Sequence, residues 1–400
     1  MSNWLGRATR ALREPSFRSA KASGRDRSKL YRRLFAFEYL EPRLTLAAAG
    51  LVPVGSQPAG PLTGKIVFVS PGHGYQYDAG AWRTGRDETN NMVEDFGTQD
   101  QATLFADYLF RAGATVVPLR PIGHQTNEVV VDNELFNVPN AATGTVTFTG
   151  AWTNHTPVSS SRWYDADYGA TTDTAYYRFA GTSSGSETAT ATYTPNIPVA
   201  GFYPVYTWVR AGTDRTSQLY KINHTGGQTQ VRVDHSMVGN GWVYLGTYHF
   251  DAGMSGSVGS VVISNQGTDG KVVIADAIRF GNGMGDVPDG PNGPLGAGGT
   301  ISGKPREEES SIMWDVRSVG MGVNAVSMFN ASTTAYDPNV SAPAILAENM
   351  YQDTNTFGTG VYIAIHSNAS NGSGRGALGL ISDDGTANYI PTPHQTSLAT

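Results

Sequence analysis

Two histidines and one glutamate have residue types and positions suited to binding zinc. His73 follows the apolar run Lys65–Ser70 in the sequence PGHG, Glu94 precedes a helical pattern, and His366 ends the apolar run Val361–His366. Zinc hydrolases commonly use three His or Glu ligands and leave a fourth position for water. The chain has no cysteine, so any metal must be held by histidines and carboxylates.

The elements around these residues predict a sheet edge where the three could meet. The run Lys65–Ser70, the helical spacing of Thr98–Ala112 and the run Ala114–Leu119 read as the βαβ unit of a parallel sheet, with Gly113 ending the helix. Ligands gather outside the carboxyl ends of parallel strands. A single histidine is more often structural, and a single glutamate near a helix start more often a dipole partner, so the prediction depends on the combination.

A different pattern fills the middle of the chain. Segments alternating Thr, Val, Tyr and Trp between Gly, Asn and Asp indicate an all-β region. We predict an α/β fold, an open and mostly parallel sheet with flanking helices, interrupted by an all-β sandwich insert. The predicted divisions are a disordered basic export or processing segment (1–60), the first part of the α/β domain (61–125), the insert (126–285), a linker (286–303) and the second part of the α/β domain (304–400).

The charge distribution excludes some classes of partner. The net charge is −6, and residues 1–45 carry eleven Lys or Arg against four Asp or Glu, which leaves about −13 for the rest. An acidic body repels polyanions, so we expect no nucleic-acid partner. No run approaches the ~20 apolar residues of a membrane span, so we expect no integral membrane segment. The text FEYLEPRLTL (37–46) resembles an N-terminal motif of secreted bacterial proteins, although a disordered basic arm fits the composition equally well.

Three segments together resemble a known enzyme family. They are IVFVSPGHG (66–74), VEDFGTQDQATLFADYLFRAGATVVPLR (93–120) and VYIAIHSNAS (361–370). In this order they resemble the signatures of zinc-dependent N-acetylmuramoyl-L-alanine amidases. The resemblance implies that His73, Glu94 and His366 bind Zn²⁺, and that the chain hydrolyses the amide between N-acetylmuramic acid and L-alanine in peptidoglycan.

Two features depart from the family pattern. Family members supply a catalytic glutamate from a strand after the third signature, and no such segment lies before Thr400. The catalytic residue is therefore unassigned, and we expect a truncated or noncatalytic domain. The family usually has Asp at the position of Ser70, where a carboxylate could orient a ligand, so we expect weaker metal binding.

The central region resembles the carbohydrate-binding-like sandwich found in golvesin and attached to xanthan lyases. The segments that carry this resemblance are AGFYPVYTWV, YKINHTGGQTQVRVD, GWVYLGTYHF and VVIADAIRF. Its tryptophans could stack on sugar rings, although alternating strands favour a core position for two of them, Trp208 and Trp242. The other two are Trp152 and Trp163.

Two further clusters have simpler interpretations than catalysis. His224, Asp234 and His235 could suggest a second metal site, but the alternation around them is typical of a half-buried strand. The run REEE (306–309) reads as the polar first turn of a helix predicted within Pro305–Met321.

These observations lead to a prediction and two alternatives. We predict a secreted or cell-envelope zinc amidase that acts on peptidoglycan or a related cell-surface polysaccharide. The first alternative is a polysaccharide-binding surface protein, related to xanthan lyase accessory domains, with a degenerate amidase domain. The second is a structural surface component.

Overall fold

The computed structural model describes residues 55–78, 81–85, 88, 93–133, 142–155, 163, 177–268, 270–281, 303, 309–320, 325–329, 336–353 and 359–366. Every structural statement concerns these residues. Several predictions lie outside them: the basic segment up to residue 54, most of the linker, and the segment after His366 in which a catalytic glutamate was sought.

Three parallel strands form the part of the fold that carries the candidate ligands. Strand β1 (Ile66–Pro71) lies between β17 (Gly360–Ile365) and β4 (Thr115–Pro118) and pairs in parallel with both. All six residues of β1 are buried, as expected for a strand covered on both faces. The crossover between β1 and β4 contains helix α1 (Glu94–Arg111), which completes the predicted βαβ unit.

Helix α1 ends where the sequence predicts and begins earlier. Gly113 has φ +95, and Ala114 N–H donates to the Leu109 carbonyl, which closes the helix. The helix starts at Glu94 rather than near Thr98, so Glu94 lies in its first turn instead of preceding it. The apolar spacing missed this turn because its first two residues, Glu94 and Asp95, are acidic and are buried by contacts with the loop after β1.

Short elements cover the carboxyl end of β1. The hairpin of β2 (Tyr75–Asp78) and β3 (Ala81–Thr84) follows directly, and α2 (Ser311–Ser318), α3 (Ala325–Met328) and α4 (Tyr336–Met350) come later in the chain. Helix α2 begins after Ser310, which caps the Met313 N–H. Glu309 therefore precedes the helix, and its prediction as part of the first helical turn was wrong: it is buried and forms a β-bridge with Tyr75.

In the described part of the central region there are twelve strands. The five-stranded sheet has the order β12-β11-β14-β9-β6, and a three-stranded sheet has the order β15-β8-β7. The remaining four strands, in the order β13-β10-β16-β5, continue the sheet of β17, β1 and β4. Their bounds are β5 Glu128–Asp132, β6 Gly144–Thr149, β7 Thr153–Asn154, β8 Arg178–Gly181, β9 Thr190–Pro195, β10 Gly201–Val209, β11 Ser217–His224, β12 Gly227–Asp234, β13 Gly241–Phe250, β14 Ser260–Ser264, β15 Val272–Ala275 and β16 Ala277–Gly281.

The β-rich centre agrees with the predicted sandwich, but the large sheet is not mostly parallel. Its order is β17-β1-β4-β13-β10-β16-β5, and only the β17–β1 and β1–β4 pairs are parallel. Strand β13 joins β4 in antiparallel fashion through the pair Val116 and Tyr244. The antiparallel strands cover an edge of β4 that would otherwise expose unpaired backbone groups. The predicted domain boundaries at residues 126 and 285 stay predictions, because this one sheet contains strands from both sides of each boundary.

Aromatic side chains hold the two halves of this sheet to the helices. The Trp208 indole N–H donates to the Ser318 carbonyl, and the Trp314 indole N–H donates to the Pro118 carbonyl. Tyr206 meets Trp314 edge to face at 5.7 Å between ring centroids. Trp163, Trp208 and Trp242 are buried, so they are core residues rather than sugar platforms, and Trp152 is half-buried.

Among the described helices, none has the length and hydropathy needed to cross a membrane.

Candidate metal centre

The loop after β1 places His73 at the carboxyl edge of the sheet. Gly72 and Gly74, on either side of His73, have φ +65 and +74, a region that glycine adopts without strain. A Cβ on Gly72 would lie 2.6 Å from Thr98 Oγ1, and a Cβ on Gly74 would lie 2.3 Å from the Glu309 carbonyl oxygen. The PGHG sequence therefore allows a sharp turn that other residues would obstruct. His73 itself is buried.

Glu94 approaches His73 from the first turn of α1. Its side chain is 5% exposed, and it lies at the positive end of the helix dipole, which favours the ionised carboxylate. His366, directly after β17, completes the group with a side chain that is 40% exposed. The His366 Nδ1 lies 2.8 Å from Glu94 Oε1, and the His73 and His366 ring centroids are 5.0 Å apart. The structure thus brings together all three residues chosen from the sequence.

The donor set fits a zinc ion. One potential ligand atom from each of the three residues lies within 4.8 Å of the other two. Around tetrahedral zinc, with bonds of ~2.0–2.2 Å, ligand atoms lie roughly 3.3–3.6 Å apart, so small side-chain rotations would suffice. Zinc bound by two imidazoles and a carboxylate lowers the pKa of a bound water towards ~7 and polarises a carbonyl. His366 is the most exposed of the three residues.

A buried carboxylate that sequence reasoning missed holds the His73 loop. Asp95 is fully buried, and its Oδ1 accepts hydrogen bonds from the backbone N–H groups of His73 (3.0 Å) and Gly74 (2.8 Å). Its Oδ2 accepts a third from the Gly85 N–H at 3.0 Å. Hydrogen bonds to an ionised acceptor are stronger than neutral ones. Asp95 therefore fixes the backbone on both sides of the imidazole.

Arg120 ties this loop to its surroundings. Its fully buried guanidinium donates from Nη1 to the carbonyls of Pro71 (2.7 Å) and Asp95 (3.0 Å), and from Nε to the Glu309 carbonyl (3.0 Å). Arg120 lies just beyond the end of β4, so one side chain links β1, α1 and the segment before α2.

The His73 carbonyl is held from the other side of the loop. It accepts hydrogen bonds from the Ser311 N–H at 2.9 Å and from the Asn339 side-chain amide at 3.0 Å. The Ser311 hydroxyl also donates to the Gly72 carbonyl at 2.9 Å. Gly85 leaves room for the His73 side chain, since a Cβ there would lie 2.5 Å from His73 Cβ. These contacts hold the backbone of His73 in place.

The serine that departs from the family pattern has its own partner. Ser70 is buried, and its hydroxyl forms a hydrogen bond with the Tyr362 hydroxyl on β17. The carboxylate that orients the loop is supplied by Asp95 instead, on α1. Asp315, one helical turn after Ser311, is fully buried, and neither of its carboxyl oxygens has a hydrogen-bond partner among the described residues. Burial raises the pKa of Asp315 well above its usual value.

The other histidines considered from the sequence make structural contacts. His235 Nε2 lies 2.8 Å from the Tyr220 hydroxyl, and burial, followed by the charge of Arg215, lowers the pKa of His235 to about 3. His224 Nε2 lies 3.0 Å from Thr229 Oγ1 and its ring stacks on Tyr248. Each is thus engaged by a neighbouring strand of the sandwich.

Comparison with known proteins identifies the central region. Residues 136–282 match the Golvesin C-terminal domain family. The chain is also 32% identical over 166 residues to a xanthan lyase from Bacillus sp. (strain GL1), a match that covers 41% of this chain and 16% of that protein. The chain therefore spans about a sixth of the length of this relative.

Two solved structures are similar in part. The Paenibacillus xanthan lyase is 30% identical, with 41% of this chain and 14% of that chain covered and a TM-score of 0.31. A Podospora anserina GH26-CBM35 β-(1,4)-mannanase is 16% identical, with 43% and 32% covered and a TM-score of 0.25. The family match does not include His73, Glu94 or His366, so the amidase resemblance stays a prediction. Residues 136–282 form a golvesin-like domain related to part of xanthan lyase.

Proposed function

We propose that this chain binds a polysaccharide through its golvesin-like sandwich, outside the cell or in the cell envelope. The observation that carries the proposal is the family match over residues 136–282, together with the 32% identity to part of a xanthan lyase. The sandwich-forming strands carry no candidate ligand of the metal centre, so binding and any chemistry would use different surfaces.

The surface chemistry of the sandwich supports this proposal. Exposed amide and hydroxyl side chains line two outer strands, including Gln228 and Gln230 on β12 and Thr147 and Thr149 on β6. Such groups form hydrogen bonds with sugar hydroxyls. Val146 on β6 and Val231 on β12 belong to the hydrophobic core, which holds both strands in place and so reduces the entropy lost on binding.

Affinity electrophoresis of the full chain tests the proposal. The protein is run in native gels that contain xanthan or hydroxyethyl cellulose. Binding to an insoluble polymer is measured by co-sedimentation with purified peptidoglycan sacculi. We expect retardation or co-sedimentation with one or more of these polymers, while bovine serum albumin migrates unchanged. Unaltered mobility in both gels and no co-sedimentation would refute polysaccharide binding.

A second function is favoured by one specific observation. Two imidazoles and a carboxylate from three distant parts of the sequence converge at the carboxyl edge of parallel strands, with their ligand atoms within 4.8 Å. We therefore propose metal-dependent hydrolysis of an amide in peptidoglycan, with His73, Glu94 and His366 holding Zn²⁺. Asp95, Ser311 and Asn339 would orient His73, and the catalytic base is unassigned within the described residues.

Release of new L-alanine amino termini from sacculi tests this second function. Zinc-loaded protein should release them, and chelated protein and His366→Ala should not. Zinc binding without release of amino termini would reject amide hydrolysis and indicate a degenerate site. Because polysaccharide binding is measured separately, the two proposals can fail independently.

A further inference from the structure

Among the described residues of the golvesin-like domain, one aromatic side chain is mostly exposed to solvent. Phe202 is 67% exposed at the start of β10, whereas Tyr203, Tyr206 and Trp208 on the same strand are buried. Leaving a phenyl ring in water forgoes roughly 1.5–3 kcal/mol of burial, so core packing does not explain this residue.

The position of Phe202 is fixed by its neighbours. It pairs with His249 on β13, and the two rings meet edge to face at 5.2 Å between centroids and 79° between planes. The Gln125 side-chain amide donates to the Phe202 carbonyl at 3.3 Å. A ring held on a paired strand loses little conformational freedom when a ligand stacks on it.

Hydrogen-bonding groups lie beside the ring. The Thr225 N–H donates to the His249 carbonyl at 3.1 Å, and Thr225 Oγ1 lies 3.1 Å from His249 Nδ1. With Nδ1 engaged, Nε2 is the ring nitrogen of His249 that can contact a ligand. Thr225 is exposed and Gln125 and His249 are partly exposed, so a bound molecule could reach all three.

The chemistry of this group favours a sugar over other occupants. Phe202, Gln125 and Thr225 carry no charge, so nothing in the trio selects an ion. A single ring with three polar neighbours is also far smaller than the ~800 Å² per partner of a stable protein interface. A pyranose presents an apolar C–H face for stacking and hydroxyls around its rim, which matches an aromatic ring flanked by amide, hydroxyl and imidazole groups.

We propose that Phe202 is a stacking platform for a neutral pyranose unit of the polysaccharide, and that His249, Thr225 and Gln125 form hydrogen bonds with its hydroxyls. The inference rests on the proposed polysaccharide binding and assigns the binding site. Phe202 lies on the opposite end of β10 from Trp208, whose indole contacts α2. The platform is therefore separate from the residues that hold the candidate metal centre.

Variants in affinity electrophoresis test the platform with the polymer that retards the wild-type chain most. Phe202→Ala should weaken binding about tenfold, because most of the apolar contact with the sugar is lost, and Phe202→Trp should retain it. Tyr108→Ala is the matched control: Tyr108 is 69% exposed on α1, outside the golvesin-like domain, and its loss should change nothing. Thermal unfolding of each variant should match the wild type, since both side chains are exposed.

The outcomes separate the inference from the function on which it rests. If no polymer retards the wild-type chain and none co-sediments with it, polysaccharide binding is refuted and the platform with it. If the wild type binds and Phe202→Ala binds equally well, the platform is wrong and polysaccharide binding stands. An equal loss in Tyr108→Ala and Phe202→Ala would also overturn the platform, because the effect would not be specific to the sandwich.

Discussion

Asp95→Asn tests whether a single buried carboxylate holds the His73 loop. The carboxylate accepts three backbone N–H groups, from His73, Gly74 and Gly85, at 2.8–3.0 Å. Asparagine keeps one oxygen, which can still serve His73 and Gly74, but its amide group would face the Gly85 N–H. The variant therefore loses the charge on two hydrogen bonds and leaves one buried donor without an acceptor.

The size of the effect follows from these losses. A buried unsatisfied donor costs about 1–3 kcal/mol, and charge-assisted hydrogen bonds are roughly twice as strong as neutral ones. We expect the free energy of unfolding to fall by about 2–4 kcal/mol. Zinc affinity should fall roughly 10–100-fold, as for other residues that orient a metal ligand.

Urea unfolding followed by tryptophan fluorescence measures the first quantity, and competition with a chromophoric chelator measures the second. Asp100→Asn is the matched control, because Asp100 lies on the same helix with a side chain 66% exposed and paired with His124. Its loss should change stability by less than about 0.5 kcal/mol. If Asp95→Asn behaves like Asp100→Asn in both assays, the positioning role of Asp95 is refuted.

Three further substitutions test other parts of the account. Burial raises the pKa of Asp315, so above pH ~4 the folded protein keeps a proton that the unfolded chain releases. The free energy of unfolding should therefore fall by up to about 1.4 kcal/mol per pH unit from pH ~4 towards the raised pKa. Urea unfolding of Asp315→Asn at several pH values should lack this slope. Gly85→Ala should weaken zinc binding in the chelator assay because its Cβ would lie 2.5 Å from His73 Cβ, whereas Gly97→Ala, with open space around it, should not. Trp208→Ala should lower the free energy of unfolding by about 3–5 kcal/mol through the cavity it creates, and a loss below about 1 kcal/mol would contradict its core position.

The sequence was most informative where one local pattern decides the structure. Short β-branched runs predict β1 and β4, because buried strands need continuous apolar residues. A similar run predicts β17, although the residues of that strand are half-buried or exposed. The rule that ligands gather at carboxyl strand ends then predicts that His73 and His366 meet. The likeness of the central region to golvesin is also confirmed by the family match.

Features that depend on contacts between distant residues could not be predicted in this way. Nothing in the local sequence distinguishes Asp95 from an ordinary acidic residue in a first helical turn, and the partners of Arg120 are spread from Pro71 to Glu309. The pairing of Val116 on β4 with Tyr244 on β13, which joins the parallel strands to the antiparallel ones, also has no sequence signal. Alternation shows that a strand has two faces, but it does not show which face is covered.

We propose that His73, Glu94 and His366, whose potential ligand atoms lie within 4.8 Å of one another, bind one metal ion. The most direct test is the zinc content of the protein after equilibrium dialysis, measured by mass spectrometry. We expect about one zinc per chain in the wild type and in His124→Ala, which removes an exposed histidine, and little or none in His366→Ala or Glu94→Gln. A wild type without zinc, or equal zinc in the wild type and His366→Ala, would contradict the claim.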